Sequence, residues 1–215
     1  MTGTGNPVYA GLFETPLILD AVPDSAALNA ALRDVILARR QRDAGVRKSN
    51  WSGWQSATDM AEWGGAAAGR LIDHFLSLCD RFTAVAPGSV PNFLWEVQMW
   101  ANLSGPGAAN EAHVHPGAVW SAVYYVEDGL EAGEDRHVGG DLVLYDPRMP
   151  AVRMLPFDLR HKDSKGQLQQ SFYPLPPVEG RIVMFPPWLY HSVHPYHGVR
   201  ERISVAMNAN AIPPR

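Results

Sequence analysis

The chain has 215 residues, enough to bury a substantial core yet few enough for a single domain. Its 18 lysines and arginines against 22 aspartates and glutamates leave a formal net charge of -4, which gives no electrostatic drive toward nucleic acid or anionic lipid and argues against both as partners. The longest apolar runs, such as Ile182-Val183-Met184-Phe185, have strand length and cannot cross a bilayer, and no basic segment precedes an apolar one near Met1, so a cytoplasmic protein without a secretory signal is expected.

In chain order, residues 16–19 read as a short strand. Asp24 or Ser25 then caps a helix whose Leu28, Leu32, Val35 and Ile36 repeat on one face. The basic residues 39–42 suit its C-terminus, where cations meet the negative end of the helix dipole. Residues 49–54, Ser-Asn-Trp-Ser-Gly-Trp, read as a loop. A second helix is expected over 58–82, with Leu71, Phe75, Leu78 and Cys79 on one stripe and Gly64-Gly65 weakening its first half. Cys79 is the only cysteine, so no intramolecular disulfide can form, and its apolar neighbours Leu76, Leu78 and Phe82 suit a core position rather than a nucleophile.

From Asn92 the texture changes to short β-rich runs divided by Gly, Pro, Asn and Asp. Candidate strands fall at 93–102, 120–126, 141–145, 151–155, 169–173, 181–185, 190–194 and 202–208. A run of strands after two helices points to a mainly β fold, a sandwich or jelly roll with the helices packed on one sheet. The acidic, Gly-rich stretch 127–140 reads as a surface loop, and Asp146-Pro147-Arg148 as a turn with an internal Asp/Arg pair. One domain is expected over 1–215, with a helical part at 1–90 and the jelly-roll core at 91–215.

The residues that could do chemistry begin at His113-Val114-His115. Side chains two apart on an extended strand project to the same side, so both imidazoles can face one cavity, and Pro116-Gly117 ends the strand beside them. His191, after Pro186-Pro187-Trp188, stands at the entrance of another strand and can supply a third ring. Three neutral imidazoles suit Fe(II), Zn(II) or Cu(II) and leave positions open for substrate and water; without a metal they are paired surface or core histidines. In the last strand Ile203, Val205 and Met207 form an apolar row, and Arg202, Ser204, Ala206 and Asn208 a polar and small one. One row packs into a core and the other lines a pocket. A guanidinium on the inward row needs an anion, because burying it unpaired costs several kcal/mol. That anion is either an Asp or Glu of the protein or a ligand carboxylate gripped by Arg202, with the Ser204 hydroxyl beside it.

Taken in order, His113-Val114-His115, Tyr124-Tyr125-Val126, the segment from Gly180 through Phe185-Pro186-Pro187-Trp188-Leu189-Tyr190-His191, and Arg202-Ile203-Ser204 resemble the 2-oxoglutarate/Fe(II)-dependent oxygenase superfamily. More narrowly, they are similar to a subfamily of uncharacterised oxygenases with His-x-His-Pro and Phe-Pro-x-Trp-Leu-x-His segments. The resemblance covers about residues 100–208. It implies a double-stranded β-helix, a jelly roll that holds iron at one open end. It further implies that His113 is the first iron ligand and His191 the distal one, and that Arg202 pairs with the distal carboxylate of 2-oxoglutarate, with Ser204 as its neighbour in the Arg-x-Ser pattern. Tyr125 would put its hydroxyl on that same carboxylate, and Asn102 would contact the keto-acid end. Tyr124 and Tyr125 point opposite ways, so only one of them can face the pocket.

The chain departs from the superfamily at one position: where His-x-Asp or His-x-Glu is usual, it has His115. With His115 as ligand the site is a three-histidine one, carrying one more positive charge than the usual triad; Glu111 and Asp141 are the carboxylates that would otherwise complete it. The function implied is that of an Fe(II) enzyme that uses 2-oxoglutarate as cosubstrate and O2 to hydroxylate a small-molecule or protein side-chain substrate, releasing succinate and carbon dioxide. Two rivals stand beside it. One is a cupin-like three-histidine dioxygenase or isomerase that does not use 2-oxoglutarate, and the other is a non-catalytic ligand-binding module. Most of the seven tryptophans suit a core, with Trp120 and Trp188 the candidates to wall the cavity beside the metal. Neither the substrate nor the oligomeric state has a sequence signature.

Overall fold

Period-two alternation along four adjacent strands builds the molecule. In the computed structural model, which describes residues 11–130, 138–148 and 159–214, β4 (Leu94–Ser104), β6 (Trp120–Glu127), β9 (Arg181–Phe185) and β11 (Arg202–Ile212) pair antiparallel in the order β9-β6-β11-β4. Met99, Ala101 and Leu103 of β4, Tyr124 and Val126 of β6, Ile182 and Met184 of β9, and Ile203, Val205 and Met207 of β11 share one face. That face is covered by α1 (Ser25–Arg40) and α3 (Gly65–Phe82), whose Leu28, Leu32, Ile36, Leu71, Phe75, Leu78 and Cys79 complete a single apolar core. Burial pushes the Cys79 thiol up to about 12, which makes it a packing residue.

The N-terminal residues also contribute strands. β1 (Ile18–Ala21) pairs with β9, and β3 (Trp54–Gln55) pairs with β4, which closes a six-stranded sheet in the order β1-β9-β6-β11-β4-β3. A second, five-stranded sheet runs β2 (Asn50–Trp51), β5 (Ala109–His113), β10 (His191–Val193), β7 (Leu142–Tyr145), β8 (Phe172–Leu175). The second sheet faces the other side of the first, and residues of both line the cavity between them. The architecture is the expected jelly roll, a double-stranded β-helix with its helices on one sheet.

Four local expectations are corrected. The segment 49–54 is not simply a loop: β2 and β3 flank Ser52, at φ 56, and join opposite sheets. The helix expected over 58–82 divides into α2 (Met60–Trp63) and α3, because Gly65 takes φ 60 and a Cβ on Gly64 would lie 2.5 Å from that of Ala68. Asp24 stands at the N-cap of α1 in a left-handed conformation, without a side-chain capping bond. The strand expected at 169–173 begins three residues later, at Phe172. The strand expected at 151–155 lies outside the described residues. The Asp146/Arg148 turn forms as expected, with Arg148 Nε and its backbone N–H both donating to Asp146 Oδ1. Among the described residues no helix is long and apolar enough to cross a membrane.

Candidate active site

Strand register lays out the floor of the cavity between the sheets in successive rungs. Across β4, β11 and β6, Asn102 stands opposite Ser204 and Ser204 opposite Tyr125; next come Trp100, Ala206 and Val123, and then Gln98, Asn208 and Ser121. All of these line a cavity of about 520 Å3, with Arg202 at one end of the ladder. Tyr124, one residue out of phase, lies on the helix side, where its hydroxyl donates to Asn29 Oδ1. Tyr125 therefore faces the cavity.

The facing sheet brings three histidines together. His113 ends β5 and His191 begins β10, and the two are register partners. The His115 backbone N–H donates to the Pro187 carbonyl at 2.9 Å, which ties the Pro116-Gly117 turn to the turn ahead of His191. One ligand nitrogen from each ring lies within 4.8 Å of the other two. His113 Nδ1 sits 2.7 Å from the Glu111 carbonyl, and His191 Nδ1 sits 2.8 Å from the Leu189 carbonyl. A carbonyl can only accept, so both Nδ1 atoms carry the proton and both Nε2 atoms present a lone pair. His191 Nε2 stands 3.2 Å from His115 Nε2, so electron-rich nitrogens converge on one point. Burial, with repulsion from His113, pushes the His115 ring down to about 4 and the His191 ring to about 3, which keeps both neutral and able to ligate. Phe185 packs on the His191 ring at 4.9 Å between centroids, and Trp100 lies 5.6 Å from the His115 ring.

Arg202 is 2% exposed. Its NH1 donates to the Gly140 carbonyl at 2.6 Å and its NH2 to Ser104 Oγ at 3.4 Å, while Nε is wholly buried without a partner. No Asp or Glu among the described residues forms a salt bridge with it. Burial holds the guanidinium below its usual pKa, against the pull of Tyr125, Tyr196 and Asp141. The Tyr125 hydroxyl is raised to about 12, chiefly by burial, so it remains a neutral donor. The arginine thus supplies a buried cation that has no carboxylate salt bridge among the described residues, and the tyrosine supplies a donor beside it.

Residues 98–208 match the model of the family described as "Putative 2OG-Fe(II) oxygenase". The chain belongs to this oxygenase family. It is an enzyme that depends on Fe(II) and 2-oxoglutarate. No curated protein matches the sequence. Among solved structures, a prolyl hydroxylase from Trichoplax adhaerens in complex with a hypoxia inducible factor oxygen degradation domain peptide fragment superposes with a TM-score of 0.61 at 14% identity, over 90% of this chain and 83% of that one. A prolyl-4-hydroxylase from Pseudomonas putida gives 0.57 at 19% identity, over 91% and 92%. HygX from Streptomyces hygroscopicus, with nickel and 2-oxoglutarate bound, gives 0.58 at 9% identity, over 91% and 83%. At such identities the shared property is the fold.

The oxygenase's own residues fit its cofactors. Three imidazole nitrogens suit Fe(II), and the two carbonyl-bound Nδ1–H groups are the outer contacts that fix ring orientation at such sites. The orphaned Arg202 Nε beside a neutral tyrosine donor fits a carboxylate. Of the spare carboxylates, Glu111 accepts from Trp51 Nε1 at 2.9 Å, and among the described residues neither Glu111 nor Asp141 joins the histidine cluster. His74 pairs with Asp20, away from the site. The cavity wall is a correction. Trp120 points into the helix-side core and donates to Thr83 Oγ1, and Trp188 is largely exposed, so Trp100 is the tryptophan beside the histidines. Gln55, which directly follows the segment 49–54 that reads as a loop and is not singled out from the sequence, also lines the cavity.

Proposed function

We propose that His113, His115 and His191 hold the iron of this oxygenase, and that Arg202, Tyr125 and Ser204 bind the distal carboxylate of 2-oxoglutarate with Asn102 near its keto-acid end. The observation that carries this reading is the buried guanidinium, its Nε orphaned and without a salt bridge among the described residues, that shares one cavity with three convergent imidazoles. Bound Fe(II) with 2-oxoglutarate and O2 supplies an oxidant that can replace a C–H hydrogen by hydroxyl while the cosubstrate leaves as succinate and carbon dioxide. The protein's part is placement. His113 and His191 present Nε2 with their rings fixed from behind, Arg202 and Tyr125 hold the diacid from the closed end, and Phe185 and Trp100 crowd the rings against water. The rung of Gln98, Asn208 and Ser121, six residues along β11 from Arg202 and so roughly 20 Å away, is left to the substrate, a small molecule or a protein side chain. The reaction we favour is hydroxylation, by a single-domain cytoplasmic enzyme that has no nucleic-acid partner.

The test is anaerobic titration of the Fe(II)-loaded protein with 2-oxoglutarate, followed by admission of O2. A weak visible charge-transfer band, and then O2-dependent succinate, is the expected result. Metal binding without the band would overturn the use of 2-oxoglutarate and favour the cupin-like rival. Failure to bind any divalent metal would favour the non-catalytic module.

A further inference from the structure

Gln55 is a buried polar residue that faces the cavity from outside the four central strands. It ends β3 and is the register partner of Asn102, which places it on the rung of Asn102, Ser204 and Tyr125. The residue is 5% exposed and lines the cavity, yet its amide finds no hydrogen bond among the described residues. Its backbone is clamped: its carbonyl accepts from the Val46 N–H at 2.8 Å, and the neighbouring Trp54 donates through Nε1 to the Asp43 carbonyl at 2.9 Å. At Gly45 a Cβ would come within 2.6 Å of that same Gln55 carbonyl, so the strand cannot back away. Held rigidly by its backbone and open only to the cavity, the amide is placed to hydrogen-bond a ligand there.

We infer that Gln55 Nε2 donates to the distal carboxylate of 2-oxoglutarate and, with Arg202, Tyr125 and Ser204, makes the closed end select a diacid over a 2-oxo monoacid. The inference rests on the 2-oxoglutarate reading above. A carboxylate offers about four acceptor sites. Arg202 spends two of its five N–H donors on Gly140 and Ser104, which leaves at most three for the carboxylate. The remaining lone pairs need neutral donors, since a second cation would leave the buried site with excess charge. The rung of Gln55, Tyr125 and Ser204 provides an amide, a phenol and an alcohol at one level. Gln55 comes from the N-terminal segment, ahead of the matched residues 98–208, so the cosubstrate pocket is completed by chain outside that match.

Calorimetry on the full chain loaded with Mn(II), under anaerobic conditions, tests the inference with two probes. 2-Oxoglutarate engages both the metal and the closed end, whereas oxalate can only chelate the metal. Gln55→Met, which keeps length and loses the donor, is expected to weaken 2-oxoglutarate about 10- to 30-fold, as for loss of a hydrogen bond to a charged group, and to leave oxalate within about twofold. Gln55→Glu, which sets a second carboxylate against the first, is expected to weaken 2-oxoglutarate at least about 100-fold with oxalate again unchanged. Wild-type affinity for 2-oxoglutarate in both variants overturns the inference alone. Equal loss of both probes, or of Mn(II), in both variants makes Gln55 structural and overturns it as well. A wild-type protein that binds Mn(II) and oxalate but no 2-oxoglutarate overturns the proposed cosubstrate site and this inference with it.

Discussion

Replacing Arg202 by Met separates a ligand-binding arginine from a structural one, because the two roles predict stability changes of opposite kind. The guanidinium is 2% exposed with Nε orphaned, and its internal bonds run to the Gly140 carbonyl and Ser104 Oγ. Substitution leaves that carbonyl unpaired, at a cost of roughly 1–3 kcal/mol. It also removes a buried cation whose desolvation penalty is several kcal/mol, and the methionine fills most of the vacated volume. The variant should therefore unfold within about 2 kcal/mol of wild type, or be the more stable of the two. With 2-oxoglutarate the balance reverses, since breaking a buried ion pair costs about 3–5 kcal/mol, or roughly 100- to several thousand-fold in affinity. At a ligand concentration near 100 times the wild-type Kd, wild type gains about 2.7 kcal/mol, which in a chain of this size is a thermal shift of roughly 5–10 °C. The variant at the same concentration should shift by under about 2 °C. Calorimetric melting of Mn(II)-loaded samples, with metal content measured in parallel, reads both effects. A variant that melts many degrees lower without ligand and keeps the full shift with it would refute the reasoning.

The adjacent tyrosines should behave as opposites. Tyr125→Phe is expected to weaken 2-oxoglutarate about tenfold with metal content unchanged, whereas Tyr124→Phe should lower stability by about 1 kcal/mol through the lost Asn29 bond and leave binding intact; titration and urea melts check both, and reversed effects would mean that the wrong tyrosine faces the cavity. His115→Ala should lower Mn(II) affinity by tenfold or more, while His115→Asp, which restores a carboxylate at the same spacing, should retain it within about tenfold; undiminished binding by the alanine variant would remove His115 from the ligand set. In the metal-free protein the native rings of His115 and His191 titrate near about 4 and about 3, against 6.5 in the ordinary case. Between those limits the unfolded chain binds protons that the native state refuses, so stability should fall as pH drops from about 6.5 toward about 4, by up to about 1.4 kcal/mol per pH unit for each ring. Urea midpoints across pH 4–6.5 on chelated protein measure this slope, and a His115→Ala/His191→Ala variant that keeps the wild-type slope would disprove the cause.

What could be read from the residues alone is what a charge fixes on one side of a strand. Arg202 among small and polar neighbours gave β11 its phase, and register then carries that phase to Ser204 and Asn208 without ambiguity. The same logic fails where both faces of a strand are covered, as in β4 and β6, because Met99, Trp100 and Ala101 are all buried and no alternation survives. That is why Trp120 and Trp188, rather than Trp100, are expected at the wall, and why strand periodicity alone does not separate Tyr124 from Tyr125. β2 and β3 are two residues each, too short for any period, and they turn at Ser52, so Gln55 left no pattern to find. The convergence of the three histidines was legible for a different reason: two rings two apart before a Pro-Gly turn, and a third after a Pro-Pro turn, are set by chain stiffness and not by packing. Residues placed by stiffness and charge are therefore the part of this site that sequence discloses, and residues placed by neighbouring strands, Gln55 above all, are the part that only register discloses.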